Sequence, residues 1–539
     1  VAVATYNTDL TTVNLIESGV TLSEFTGYTN GGPPTYDTDY YIQGSGCGTT
    51  PIAGKTGLCA SIVIDYGSNL TISSGECVFV WQIMAAPNAH DTLANGGMRF
   101  IIGADATNFD GWKTGGKDFG RYPYGGWSNV AVDPAFSPVD YTGGTGSGGS
   151  YRYFGSGVNM VASVSKGNMH GMDAIRKGRG ILYVEYGDGS GYGTFSGMAS
   201  TNDSNTTGAY NRWGLFQAIA GGYLYKGLMR LGTASNAVDF RDSNKNIFID
   251  NTYRTYAGFN LIEIRNASSR VDWTAISIQS SPDATYGNLS PGRLEVVDDC
   301  DVNFEKCVFT DMDTFIFKAS SACLNGVFRR CNTITANGAS FAGCLFDSAS
   351  VAADTSQLVW DVATDPNTYL EDCVFIKGTN AHHAIELGTS SPTEITLTNV
   401  VFTGFNASDG QNDSMIHVKR TTGTVTINYS GMAPSYKSAG ATVVVQTSVP
   451  LFVSCKNEAG LDVPGVNVRV QKTSDGTLVK QGTTDVNGEW SDSSGTSGYD
   501  VDVIVRLKGY KYAKATTYLG GDGISVPFTL IKDKAVNLP

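Results

Sequence analysis

The side chains best equipped for chemistry in this chain are six carboxylates crowded between positions 298 and 313: Asp298, Asp299, Asp301, Glu305, Asp311 and Asp313. Paired carboxylates on a β surface are the equipment of polysaccharide cleavage, one acting as general acid and the other as base or nucleophile. Their spacing permits two of them on adjacent turns of a coiled β structure. The competing role is a solvated face that keeps such a structure soluble and its edges unpaired. Any acidic β surface would carry such a cluster, so the structural role comes first and no residue is assigned as catalytic. His382-His383 is the one adjacent histidine pair. It follows the turn signal Gly378-Thr379-Asn380, which places it at an exposed corner rather than in a ligand set. His90, His170 and His417 are too scattered for a triad, and no Gly-x-Ser-x-Gly elbow occurs.

The ten cysteines do not fall in Cys-x-x-Cys pairs. Cys307, Cys331, Cys344 and Cys373 read as small apolar side chains stacked in a core. Cys300 and Cys323 lie nearby with no assigned partner. Cys47 and Cys59 bracket a loop holding Pro51 and Gly54, and a disulfide or two thiols both fit. Gly54-Lys55-Thr56 ends like a phosphate loop, but Thr49 stands where that motif needs glycine and no helix pattern follows. Asp485 and Asn487 offer too few oxygens for calcium and read as a hairpin turn. No metal ligand, cofactor-binding residue or cofactor is assigned. Trp112, Tyr122, Tyr124, Trp127, Tyr151 and Tyr153 lie in or beside glycine-rich loops, and suit sugar stacking and subunit contact equally.

Positioning such residues falls to β-strands. Of 539 residues, 41% are apolar but only 16% charged, with 66 Gly and 27 Tyr. That balance suits sheets joined by many tight turns. A net charge of -13 without a basic run argues against nucleic-acid binding. No apolar run reaches the ~18 residues of a membrane span. The opening residues, Val1 to Tyr6, lack the basic end and apolar stretch of a secretion signal.

Three regions separate. Residues 1–225 carry long alternating segments, including 60–66, 77–84, 98–102 and 181–186, which predict an N-terminal β-sandwich of jelly-roll or lectin-like type. Its Gly143–Ser150 stretch reads as a flexible loop. Residues 226–446 contain a repeat: large apolar, two mostly polar residues, Cys or Val, any residue, then usually Phe. Its copies begin at Phe304, Phe328, Phe341, Leu370 and Leu397, with a weaker one at Val271. The Cys-column intervals are 24, 13, 29 and 27, and one solenoid coil takes roughly 20–30 residues. The 13-residue step demands either a truncated coil or another register. Strict alternation cannot place Phe304, Cys307 and Phe309 on one face, so a corner is expected between Glu305 and Lys306.

Residues 447–539 contain Pro464-Gly465-Val466-Asn467-Val468-Arg469-Val470, then Thr484-Asp485-Val486-Asn487-Gly488-Glu489-Trp490. These motifs resemble the carboxypeptidase-regulatory-like, prealbumin-type (Ig-like) β-sandwich, a binding or spacer module. The Cys-x-Phe coils resemble the right-handed parallel β-helix family. Together with the opening segment and the Phe240-Arg-Asp-Ser-Asn244 run, the chain resembles structural proteins of tailed phages of aquatic type. The all-β order is then sandwich, parallel β-helix, sandwich. The resemblance implies a non-enzymatic spike, fibre or capsid-decoration subunit on the virion surface. Its implied partners are other virion proteins, two further copies in a homotrimer, and a host-surface glycan. It implies neither nucleic acid nor membrane insertion. The alternatives are a polysaccharide-depolymerising tailspike and a bacterial surface adhesin. The adhesin predicts a sorting signal that Ala535–Pro539 does not show.

Overall fold

The computed structural model describes residues 5–14, 16, 21–23, 33–39, 41–51, 54, 57–73, 75–84, 97–105, 109–115, 127–132, 141–142, 151–160, 169–185, 191–202, 213–249, 260–280, 292–431, 433–495, 497–521 and 523–533. The chain divides into two compact units, Val1–Ser321 and Ala322–Pro539.

The first unit opens with an antiparallel sandwich, as the alternating segments predict. One sheet runs in the order Trp127–Val132, Cys77–Met84, Met169–Gly178, Cys47–Pro51, Thr35–Asp37. The other includes Phe109–Gly115, Gly97–Gly103, Tyr151–Met160 and Gly57–Leu70. Alternate residues of both sheets point inward, so Ile62, Ile64, Phe100, Ile102 and Phe154 meet Val78, Val80, Val130 and Met172 in one core.

Parallel pairing starts earlier than the boundary expected at residue 225. Ile181–Glu185, predicted as a sandwich strand, pairs parallel with Leu228–Leu231. Period-two alternation is the same in both settings, which is why the pattern could not place it. From there the chain cycles through three faces. Leu228–Leu231, Asp239–Ser243 and Asn246–Ile249 are followed by Leu261–Ile264, Arg270–Thr274 and Ser277–Ser280, each strand pairing parallel with the one a coil earlier. Arg293–Val296, Asp301–Glu305 and Val308–Thr310 add a third layer. The helix Phe195–Asn202 contributes Phe195, whose ring lies 4.9 Å from Phe240 and 5.5 Å from Trp273.

The predicted corner is present. Lys306 adopts φ 56°, and Asn244 and Ala275 hold the same place with φ 54° each. In the second unit the place is taken by Asn325, Gly343, Asp372 and Asn399, all left-handed. Asn, Asp and Gly tolerate this conformation, whereas Ala275 and Lys306 adopt it at a cost of about 1 kcal/mol each.

The second unit continues in the same style, with one correction of register. Val327–Arg329, Leu345–Asp347, Val374–Ile376 and Val401–Thr403 stack in parallel, aligning Phe328, Phe346, Phe375 and Phe402. The column two residues before the phenyl rings is therefore Gly326, Cys344, Cys373 and Val400. Cys331 lies outside it, three residues past Phe328. The repeat copy placed at Phe328 was out of register, and the anomalous 13-residue step disappears with it. The weaker copy at Val271 is likewise shifted by two, since Trp273 aligns with Phe304.

One strand, Thr442–Asn457, leads into the C-terminal module. Its first half pairs parallel with Thr424–Ser430, and its second half pairs antiparallel with Glu489–Ser494. Ile524–Leu530 flanks that second half, and a facing sheet is built from Leu478–Thr483, Asn467–Lys472, Tyr499–Arg506 and Ala513–Leu519. Val453, Cys455, Val468, Val470, Trp490, Val503 and Phe528 fill the space between. This is the predicted sandwich.

Candidate functional site

The acidic cluster is built into coil-to-coil ties. Parallel register places Asp239, Arg270 and Asp301 in one outward column and Arg241, Asp272 and Asn303 in the next-but-one. Charges therefore alternate along and across the face. Arg270 Nε lies 2.7 Å from Asp272 and 3.9 Å from Asp301, and Asn303 Nδ2 donates to Asp301 at 2.8 Å. Asp298 accepts the Asn266 N–H at 2.8 Å. Asp299 accepts the backbone N–H and hydroxyl of Ser320 at 3.1 and 2.8 Å, and those bonds hold its carboxyl below its ordinary value. Glu305 pairs with Lys306 at 2.8 Å, Asp313 faces Arg293 at 3.8 Å, and Asp311 takes a left-handed turn at φ 56°. These are the jobs of a satisfied β surface.

The aromatic set disperses. Tyr151 is buried in the sandwich core rather than presented to a ligand, and Trp127 packs beside Ile42 and Trp81. Tyr153 donates to Asp65 at 3.1 Å, and the bidentate Arg152 contact pulls the Asp65 carboxyl down to about 2. Tyr122, Tyr124 and the Trp112 side chain lie outside the described residues, as do the Cys59 side chain, Lys55, Thr56, His90 and Gly143–Ser150. The Cys47–Cys59 expectation therefore lies outside them as well. Asp485 accepts the N–H groups of Asn487 and Glu489 at 2.9 Å each, which makes the predicted hairpin turn.

The histidines overturn the sequence expectation. His382 and His383 are both fully buried, not at an exposed corner. His382 Nε2 accepts the Gly378 N–H at 3.0 Å, and its Nδ1 lies 3.1 Å from the His383 carbonyl, so both ring nitrogens are engaged structurally. His383 begins the strand His383–Leu387, and its Nδ1 lies 2.7 Å from the Ser414 carbonyl. Its Nε2 faces Asp354 Oδ1 at 3.2 Å. His417, in the next coil on Ile416–Val418, brings its ring centroid to 4.5 Å from that of His383. One ligand atom from each of Asp354, His383 and His417 lies within 4.8 Å of the others. Among the described residues it is the one group of three His, Cys, Asp or Glu gathered so closely. The signal was present in the sequence: Asp354 to His383 is 29 residues and His383 to His417 is 34 (417 − 383), about one coil each.

A second feature belongs to the C-terminal sandwich. The outer face of its four-stranded sheet holds a groove of about 710 Å³ lined by Arg469, Gln471, Gln481, Ile504, Arg506 and Tyr512, among others. The Arg506 guanidinium sits 5.1 Å from the Tyr512 ring centroid.

No protein-family model and no curated protein matches the chain. Among the solved structures that match, two resemble it weakly. The Bacillus anthracis TIE protein aligns at 16% identity and a TM-score of 0.14, over 18% of this chain and 20% of its own length. The chain thus spans about a fifth of that protein. The catalytic unit of a thermostable GH87 alpha-1,3-glucanase from Streptomyces thermodiastaticus strain HF3-3 aligns at 8% identity and a TM-score of 0.17, over 85% of this chain and 87% of its own. At these TM-scores neither likeness bears on function.

Proposed function

We propose that this chain is a non-enzymatic structural subunit on the outside of a tailed-phage particle, a spike, fibre or decoration protein that presents its C-terminal sandwich to a surface glycan. The supporting observation is the strand Thr442–Asn457, which is solenoid along one half and sandwich along the other. Solenoid coils contact only their neighbours and make a stiff shaft. A strand continuous with that shaft carries the module without a flexible linker, which suits a load-bearing appendage. The groove beside Arg506 and Tyr512 supplies what neutral or acidic sugars recognise: guanidinium and amide donors beside an aromatic face. The carboxylates nearest to a hydrolase's equipment are tied into turns and ion pairs, which favours architecture over cleavage. Homotrimer formation and contact with other virion proteins follow from the same role.

The test uses the purified full-length chain and the capsule or exopolysaccharide of the host. Binding without release of new reducing ends or unsaturated sugars is expected, and Arg506→Ala with Tyr512→Ala should weaken it at least tenfold. Cleavage that Asp311→Asn and Asp313→Asn abolish would replace this reading with the depolymerase.

A further inference from the structure

We propose that Asp354, His383 and His417 form a binding site for a divalent transition-metal ion, zinc(II) being the best match, that ties three successive coils of the solenoid together. Two imidazoles and one carboxylate are a donor set for such an ion, with a remaining position for water. The three residues come from consecutive layers. Asp354 precedes Ser356–Trp360, His383 opens His383–Leu387 and His417 lies on Ile416–Val418, and these strands neighbour one another in one parallel sheet.

The hydrogen bonding points to a cation. A neutral imidazole carries one N–H. His383 Nδ1, 2.7 Å from the Ser414 carbonyl, spends it there. Its Nε2 lone pair then faces a carboxylate oxygen at 3.2 Å, an opposition of two acceptors that only a proton or a metal ion between them relieves. His Nδ1–H bonded to a backbone carbonyl is also the usual way a ligating imidazole is oriented. His417 adds an independent observation. It is 5% exposed, and its Nδ1 is buried without a hydrogen-bond partner among the described residues. An unsatisfied buried ring nitrogen is costly unless something fills its place.

The surroundings keep His417 ready to ligate. Glu386, which neighbours His417 across the sheet, is occupied by Lys419 at 3.5 Å. Lys437 Nζ lies 2.5 Å from Asp354 Oδ1 and is the competitor the ion must displace. Tetrahedral zinc with bonds of ~2.0–2.1 Å holds its ligand atoms about 3.3 Å apart, so a small closing rotation from 4.8 Å completes the site.

The full-length chain is stripped with a chelator, dialysed against zinc chloride and measured by elemental analysis and isothermal titration. One zinc ion per chain is expected. Asp354 is half exposed, so Asp354→Asn keeps the fold, and it should weaken zinc at least tenfold; His417→Ala should do the same or more. Lys437→Met removes the competing ammonium and leaves all three ligands, so it should bind zinc at least as tightly as the unaltered chain. Far-ultraviolet circular dichroism confirms folding of each variant. Equal zinc uptake by all four proteins overturns the proposal. So does absence of zinc uptake by the unaltered chain.

Discussion

Phe346 is the sharpest point at which to strain the solenoid. Its ring is 1% exposed and stacked between Phe328, at 5.2 Å and 6°, and Phe375, at 4.5 Å and 4°. Phe346→Ala removes a fully buried phenyl and both stacked pairs, which costs about 3–5 kcal/mol, some 0.5–1.5 kcal/mol of it for each stacked pair. Phe402 is half-buried, 5.7 Å from Phe375 and tilted by 26°, so Phe402→Ala should cost about half as much. A solenoid loses structure locally rather than all at once, so a single unfolding midpoint is the wrong readout. Hydrogen exchange reads the site directly through the coil-to-coil amides Leu345, Val374 and Val401, which donate to the carbonyls of Gly326, Cys344 and Cys373. Phe346→Ala should lower protection at Leu345 and Val374 by more than about a hundredfold. A loss under tenfold there, or an equal loss in Phe402→Ala, refutes the stacked-column account.

Four further outcomes follow from individual contacts. Burial raises the Asp173 carboxyl to about 6 and lowers His170 to about 4. Between those values the folded chain keeps an Asp173 proton that the unfolded chain has released, so that residue's contribution falls as pH rises. His170 does the reverse, contributing more as pH rises through the same window. Asp173→Asn removes the first effect, so sandwich stability read from Trp81 fluorescence should rise by up to ~3 kcal/mol from pH 4 to 6.5; a pH profile parallel to the unaltered chain counts against it. Gly488 has φ 71°, and an added Cβ would lie 2.5 Å from the Cys455 carbonyl, whereas one at Gly460, φ 77°, meets open space. Gly488→Ala should therefore lower the melting temperature well beyond Gly460→Ala, which carries only the ~1–2 kcal/mol backbone penalty; equal shifts would deny the close approach. Cys344 and Cys373 are fully buried, and burial pushes the Cys373 thiol well up, so neither should react with a thiol reagent before unfolding. Labelling of either in the native chain contradicts the interior column. Arg176 is completely buried over Trp213 with three guanidinium nitrogens unbonded among the described residues, so Arg176→Met should hold or raise stability, and a large loss would reveal a partner.

What the sequence disclosed and what it hid have separate physical causes. Strand faces, the corner at Lys306 and the Asp485–Gly488 hairpin were legible because alternation and left-handed turn residues are local. The Cys-x-Phe column was legible in four of its members. Gly326 has no side chain to mark its place, and Phe328-Arg329-Arg330-Cys331 imitates the repeat five residues out of step (331 − 326). The burial of His382 and His383 was hidden because a turn signal says where the chain bends, not what packs over the bend. Asp354, His383 and His417 meet only once coils are stacked, and no local motif announces them. The strand Ile181–Glu185 alternates as a sandwich strand would, and only its partner reveals the solenoid.

In the proposed role the C-terminal sandwich, residues 447–539, is displayed on the outside of a phage particle. Electron microscopy of phage particles from the source of this chain, labelled with an antibody against residues 447–539, tests that role most directly. Label at a fixed distance outside the capsid or tail is the predicted image. Particles that bind no label while the chain is found only in the infected cell would contradict it.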